Sequence, residues 1–325
     1  MVRKILVPLD GSAAGESVLS VVGSLCRENA SEVILARVEE AGPLDPGPSF
    51  QEESLALARE YLRDQASTLA REGLQVRLEA RSGPVVETLL AIAREYRASL
   101  IAMTTHGRTA SATLPFGGVA ERLIKESSAP ILVIPSLTLE GQIRPLRASE
   151  APYRTILVTT DGSEVSAAVI PAASDFAQLL DSEVLLLYVS PAATGRGRAG
   201  ARVPVLAPGW LREFTHPFRE KGVCVRILER KGDPAAVILK ESLRQHVELI
   251  AMGTHGWAAS ARRAMGSVTE AVLKGSSVPL LVTRIARERA SLGPSRAREG
   301  ASPRKRHSRS RGRRARWASR RGEAR

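Results

Sequence analysis

Two pentapeptides constrain this chain more than any other feature: Met103-Thr104-Thr105-His106-Gly107 and Met252-Gly253-Thr254-His255-Gly256, 149 residues apart. Each follows an apolar run, Leu100-Ile101-Ala102 or Leu249-Ile250-Ala251, and each precedes a further glycine, Gly117 or Gly266, at the same offset. The correspondence continues outward. Lys4-Ile5-Leu6-Val7-Pro8-Leu9-Asp10-Gly11-Ser12 returns as Thr155-Ile156-Leu157-Val158-Thr159-Thr160-Asp161-Gly162-Ser163, and Ser128-Ala129-Pro130-Ile131-Leu132-Val133 returns as Ser277-Val278-Pro279-Leu280-Leu281-Val282. Gly83-Pro84 and Gly232-Asp233-Pro234 open matching apolar stretches. So many residues in one order mark a tandem duplication, and the chain must fold as two copies of one unit.

Apolar periodicity gives the unit its class. Repeat one reads as strands 2–9, 32–38, 74–80, 99–104 and 130–135 alternating with helices 13–28, 52–72, 85–96 and 118–126. The strands are near-continuous Val/Ile/Leu runs, the pattern of a parallel sheet covered on both faces. The helices carry apolar residues three and four apart, as in Leu55, Leu62 and Leu69 with Ala58 and Ala66 between. Repeat two follows with strands 155–160, 183–189, 248–253 and 279–283 and helices 164–180, 235–246 and 267–275. Alternation of this kind predicts a doubly wound α/β sheet. The repeats part company where repeat two carries Pro204, Pro208, Gly209 and Pro217 against the clean amphipathic 52–72. A long loop from Ser190 to about Gly209, then a short or kinked helix, is expected there.

The boundaries follow: repeat one over 1–137, a Gly/Pro-containing linker over 138–153, repeat two over 154–284 and an Arg-rich tail over 285–325. The net charge of +13 belongs to that tail, because the 16 Lys/Arg and 3 Asp/Glu from Arg284 onward leave 31 of each sign before it. The basic pI therefore does not describe a nucleic-acid-binding fold. The tail lacks apolar periodicity and is expected to be disordered. No leader is expected, because Val2 to Leu9 already reads as the first strand; no apolar run approaches the roughly 20 residues of a membrane span, and the two cysteines, Cys26 and Cys224, sit at non-equivalent positions. A cytoplasmic protein is expected.

In an open parallel sheet, ligands sit beyond the strands' C-terminal ends where the winding reverses. That crevice is expected between Asp10 or Asp161, after the first strand, and the loop after the fourth, 104–118 or 253–267. An aspartate there accepts hydrogen bonds from ribose hydroxyls, and glycines let the chain approach phosphate oxygens. The small residues Gly117-Gly118 and Gly266-Ser267 open a helix whose free N–H groups favour an anion, with the Ser267 hydroxyl as one more donor. Each residue has a plainer role available: Asp10 and Asp161 as turn or capping residues, Gly256 and Gly266 as turn and cap glycines. His106 and His255 read as local hydrogen-bonding partners of the backbone, and Arg262 and Arg263 as a solvated face.

These residues resemble the universal stress protein family in its tandem form. Its ATP-binding members share a glycine, two residues, a glycine, nine residues, then a glycine followed by Ser or Thr. Repeat two matches this with Gly253, Gly256, Gly266 and Ser267, and Asp161 holds the first-strand aspartate position. The resemblance covers residues 1 to about 284. It implies Rossmann-like domains of five parallel strands, related to adenine nucleotide α-hydrolase folds, and bound ATP, with magnesium as an optional companion. It also implies Val189 and Met252 as further nucleotide contacts and dimers pairing through the last strand, here expected within one chain as a pseudo-dimer, with a homodimer as a further option. Repeat one departs: Thr104 replaces the first glycine and Gly118 the hydroxyl residue, while Asp10, Gly107 and Gly117 remain. If position 104 needs positive φ, its β-branched residue is an outlier. Nucleotide is therefore expected mainly in repeat two.

Other signals carry less. Gly195-Arg196-Gly197-Arg198-Ala199-Gly200 spells a dinucleotide fingerprint but leads into Pro204 and Pro208, not a helix. No Walker lysine motif, paired-His helix, Cys-x-x-Cys or Ser-His-Asp set is present. Binding without efficient turnover is the preferred reading. Two alternatives remain: a slow nucleotide-dependent hydrolase or transferase, and a nucleic-acid-associated protein acting through the tail, where Trp317 is the lone aromatic.

Overall fold

A computed structural model describes residues 2–27, 31–40, 48–107, 117–135, 153–190, 208–255 and 265–284. Repeat one runs β1 (Lys4–Pro8), α1 (Ala13–Glu16), α2 (Val18–Arg27), β2 (Glu32–Glu39), α3 (Pro48–Arg71), β3 (Val76–Ser82), α4 (Val85–Glu95), β4 (Leu100–Thr104), α5 (Gly118–Glu126) and β5 (Ile131–Ile134). Repeat two runs β6 (Thr155–Thr160), α6 (Glu164–Ala167), α7 (Ile170–Leu179), β7 (Glu183–Ser190), α8 (Pro208–Arg219), β8 (Val225–Lys231), α9 (Pro234–Arg244), β9 (Leu249–Gly253), α10 (Ser267–Gly275) and β10 (Leu280–Thr283).

The described strands form one sheet in the order β3-β2-β1-β4-β5-β10-β9-β6-β7-β8. Within each repeat the strands are parallel and the winding reverses between the first and fourth. The repeats meet where β5 and β10 pair antiparallel, Leu281 opposite Leu132 and Val282 opposite Ile131. All four side chains are buried. Alternate strand residues feed opposite faces: Ile5 and Val7 face α2 and α3, while Leu6 faces α4 and α5. Burial on both faces is why the strands read as unbroken apolar runs. On α3 the predicted stripe is realised, with Ala58, Leu62 and Leu69 buried. Residues Leu211 and Phe218 do the same work on α8.

Three elements differ from the sequence reading. The single helix expected over 13–28 is two, because the Ser17 hydroxyl donates to the Ala14 carbonyl at 2.7 Å and competes with the backbone ladder. The helix expected over 164–180 also breaks, before α7, where Pro171 has no N–H to carry the ladder across. Strand β8 has no counterpart among the apolar runs of the sequence. As an edge strand it interrupts Val225, Ile227 and Leu228 with exposed Arg226 and Glu229, so it lacks an apolar run. The short helix expected around Pro217 is α8, 12 residues long with that proline inside it. The loop expected from Ser190 to Gly209 lies almost entirely outside the described residues, as do the linker and the Arg-rich tail.

Candidate functional site

The Asp-Gly-Ser turns are built alike. Asp10 Oδ1 accepts from the Ser12 amide at 3.0 Å and its hydroxyl at 2.7 Å, and Ser12 caps α1 by accepting from the Gly15 amide at 3.0 Å. Asp161 Oδ1 accepts the equivalent pair from Ser163 at 3.0 and 2.6 Å, and Ser163 accepts from the Ser166 amide at 3.0 Å. Gly11 and Gly162 take φ of 83° and 84°, a conformation few side chains tolerate. Both aspartates thus hold their turns while standing at the C-terminal end of the first strand. The turn role and the crevice position coexist.

The neighbouring loop is pinned at its two ends. The Thr254 amide donates to the Thr283 carbonyl at 2.8 Å, and the Gly266 amide returns to the Thr254 carbonyl at 2.8 Å. Thr269 Oγ1 donates to the Gly253 carbonyl at 2.9 Å. Repeat one has the same frame through Thr105, Ile134 and Gly117. Gly117 and Gly266 are the N-caps of α5 and α10 and supply no capping side chain. The first-turn N–H groups therefore point beyond the sheet at the crevice end, where they favour negative charge. Ser267 begins α10; Gly118 begins α5 without a hydroxyl.

The glycines are required by close approach, not by positive φ: neither Gly253 nor Gly266 adopts it. A Cβ on Gly253 would stand 2.9 Å from the Val165 carbonyl oxygen and 3.2 Å from Ser166 Cα. One on Gly266 would stand 3.3 Å from the Thr254 carbonyl oxygen. Thr104 is accordingly no backbone outlier; it ends β4 as an ordinary strand residue, and its hydroxyl donates to the His106 carbonyl at 2.8 Å. In repeat one a Cβ on Gly107 would lie 2.0 Å from Asp10 Oδ2, so the carboxylate rests on the loop backbone.

His106 and His255 each place Nδ1 3.0 Å from the hydroxyl of the preceding threonine. Val189 and Met252 are buried on the same face of the sheet and belong to its core. Gly256, Arg262 and Arg263 lie outside the described residues.

A flanking pair escaped the sequence reading. Tyr188, near the end of β7, packs edge-on against Trp210 with centroids 5.4 Å apart, and Trp210 against Phe214 at 5.1 Å. Burial raises the Tyr188 phenol above its ordinary range, and the Asp161 charge adds to the rise. The equivalent pair in repeat one is Arg37 and Tyr61, the guanidinium 4.8 Å from the ring centroid. Comparing the repeats at offsets of 151 and 149 would have exposed both positions. Among the described residues no cluster of His, Cys, Asp or Glu could hold a metal ion, and no helix is long and apolar enough to cross a membrane.

Fold and crevice together define a class: two doubly wound α/β units in one chain, each with an aspartate facing a glycine-capped helix. The universal stress protein family model matches residues 1–135 and 152–284, and the chain belongs to that family. A universal stress protein of Methanocaldococcus jannaschii is 30% identical over 147 residues, covering 43% of this chain and 86% of its own. One from Mycobacterium tuberculosis is 26% identical over 255 residues, covering 69% and 74%. The crystal structure of a universal stress protein from Archaeoglobus fulgidus superposes with a TM-score of 0.66 at 21% identity, covering 89% of this chain and 98% of that one, a likeness of fold.

Proposed function

We propose that this universal stress protein binds an adenine nucleotide, ATP above all, in the crevice of repeat two, and that occupancy regulates its partner contacts under stress. The observation that carries the reading is the α10 N-terminus. Its cap, Gly266, offers no side chain, and its frame is fixed through Thr254 and Thr269 beside Asp161's turn. Main-chain N–H groups held in advance at a helix start suit a polyphosphate, and the Ser267 hydroxyl adds a donor. Asp161 suits the ribose, with Val189, Met252, Gly253 and Gly256 as the remaining contacts. Binding without efficient turnover fits a site whose contacts are mainly amides, and magnesium would enter with the triphosphate. The antiparallel β5–β10 pairing supports the reading of the two repeats as an intramolecular pseudo-dimer.

Nucleotide extraction from the purified chain followed by mass spectrometry, with calorimetry of the stripped protein, tests the proposal. Co-purifying adenine nucleotide or saturable binding is expected. No nucleotide and no heat at millimolar ATP would reject it.

A further inference from the structure

Trp210 carries an indole N–H for which the surrounding fold supplies no acceptor. Among the described residues its Nε1 is one of two buried side-chain polar atoms that make no hydrogen bond. The other, the Thr283 hydroxyl, can rotate and can also accept, whereas an indole N–H only donates and is fixed by its ring. Buried Trp N–H groups ordinarily find a partner, because an unpaired one bears the whole cost of its desolvation. Repeat one shows how the position can be satisfied: Tyr61, the counterpart of Trp210 at the offset of 149, donates to the Glu16 carboxylate at 2.9 Å. In repeat two Ala167 stands where Glu16 would be and offers no acceptor.

The ring lies on the flank of the repeat-two crevice. Tyr188, against which Trp210 packs edge-on, pairs in register with Thr160, the residue before Asp161. Burial and then the Asp161 charge push the Tyr188 phenol upward, so the two groups are neighbours. Across the sheet the order is β9 with the glycine turn, β6 with Asp161 and β7 with the aromatic flank, two strand spacings or about 10 Å in all. Phosphates suit the β9 side, where the α10 amides stand, and the Asp161 carboxylate repels them from the β7 side. The aromatic flank is left with the uncharged end of a nucleotide.

We propose that Trp210 is a specificity-determining residue of repeat two, its Nε1–H donating to a ring nitrogen of a purine base. This rests on the reading of repeat two as a nucleotide site and adds to it the group that selects the base. Adenine fits because its ring nitrogens N1, N3 and N7 accept hydrogen bonds and carry no charge for Asp161 to repel. Tyr188 and Trp210 together give the base an apolar wall.

Calorimetric titration of the full chain with ATP and with the three deaza analogues, in which C–H replaces N1, N3 or N7, tests this. One analogue is expected to bind about fivefold more weakly than ATP, the worth of one hydrogen bond. Trp210→Phe keeps an aromatic ring and loses the N–H; it should bind ATP about fivefold more weakly and show no further loss with that analogue. Circular dichroism checks the fold of the variant, and the analogues on the unaltered chain need no variant at all. If all three bind as ATP does, this inference is overturned and the nucleotide reading stands. An analogue loss that persists in Trp210→Phe would also overturn it, by assigning the ring nitrogen to another donor. No ATP binding at all would overturn the nucleotide reading, and this inference with it.

Discussion

Gly253 and the carbonyl oxygen of Val165 are so close that a β-carbon on the glycine would stand 2.9 Å from that oxygen. The end of β9 and the first turn of α6 are therefore packed backbone to backbone. A side chain at 253 must push α6 away, and Asp161 sits in the turn that leads into that helix.

Gly253→Val should consequently cost about 1–3 kcal/mol of stability, the usual range for overpacking a tight site. It should also weaken ATP binding at least tenfold. Gly118→Ala is the control: a Cβ there has no heavy atom within 4 Å, so no loss of stability is expected. Denaturant unfolding and calorimetry on the two variants check both statements. Equal behaviour of the pair would mean that close approach is not what position 253 requires.

On the proposed reading Asp161 has two roles, holding its turn and binding ribose, and they can be separated. Asp161→Ala removes the acceptor for the Ser163 amide and hydroxyl, and should cost about 1–2 kcal/mol, in line with lost caps and buried hydrogen bonds. Asp161→Asn keeps an oxygen in that place and should retain most of the stability. Both should lose nucleotide affinity, because a charged acceptor binds ribose hydroxyls more strongly than a neutral one. Unfolding midpoints set against dissociation constants test this; a variant that loses stability and affinity in fixed proportion would refute two separate roles.

Much of this architecture could be read from the residues because the strands are buried on both faces. Leu100-Ile101-Ala102 and Leu249-Ile250-Ala251 are apolar without alternation, and the offset between them announces the second copy. Strand β8 was illegible for the opposite reason, since an edge strand keeps charges such as Arg226 and Glu229. The helix break after Glu16 turns on a single hydroxyl bond from Ser17, which periodicity does not report. The places of Asp161 after β6 and of Gly266 at the start of α10 follow from the element order, but the reason for Gly253 does not. Close approach between two backbones is a property of three dimensions, whereas positive φ is what a glycine suggests by itself. The Tyr188–Trp210 contact lies outside any motif and becomes visible only when the repeats are laid side by side.

The pH dependence of stability should carry the signature of Glu241. This carboxylate, 3% exposed, accepts from Arg230 Nε at 3.0 Å and Nη2 at 3.1 Å, tying α9 to edge strand β8. The Arg230 guanidinium holds it below its ordinary value of 4.5. A carboxylate with a lowered folded-state pKa stabilises fully above its unfolded value and loses that contribution as pH falls through the folded one. Stability should therefore decline from about pH 4.5 downward. In Glu241→Gln that decline should be shallower, with about 1–3 kcal/mol lost near neutrality because Arg230 keeps only a neutral acceptor. Urea titrations from pH 3 to pH 7 would decide it; parallel pH profiles for the two proteins would remove Glu241 from the account.

Cysteine chemistry gives a last check on the packing. Cys26 is wholly buried on α2 against the sheet, and burial pushes its thiol up to about 12. Cys224 is exposed just before β8. Thiolate is the reactive form, so at pH 8 Cys26 stays almost wholly protonated even before access is considered. A chromogenic disulfide reagent added to the native chain should titrate one thiol quickly and the second only at the rate of unfolding, whereas denatured protein should give two at once. Cys224→Ser should abolish the fast phase alone. Two fast thiols in the native state would mean that α2 does not pack on β1 and β2 as described.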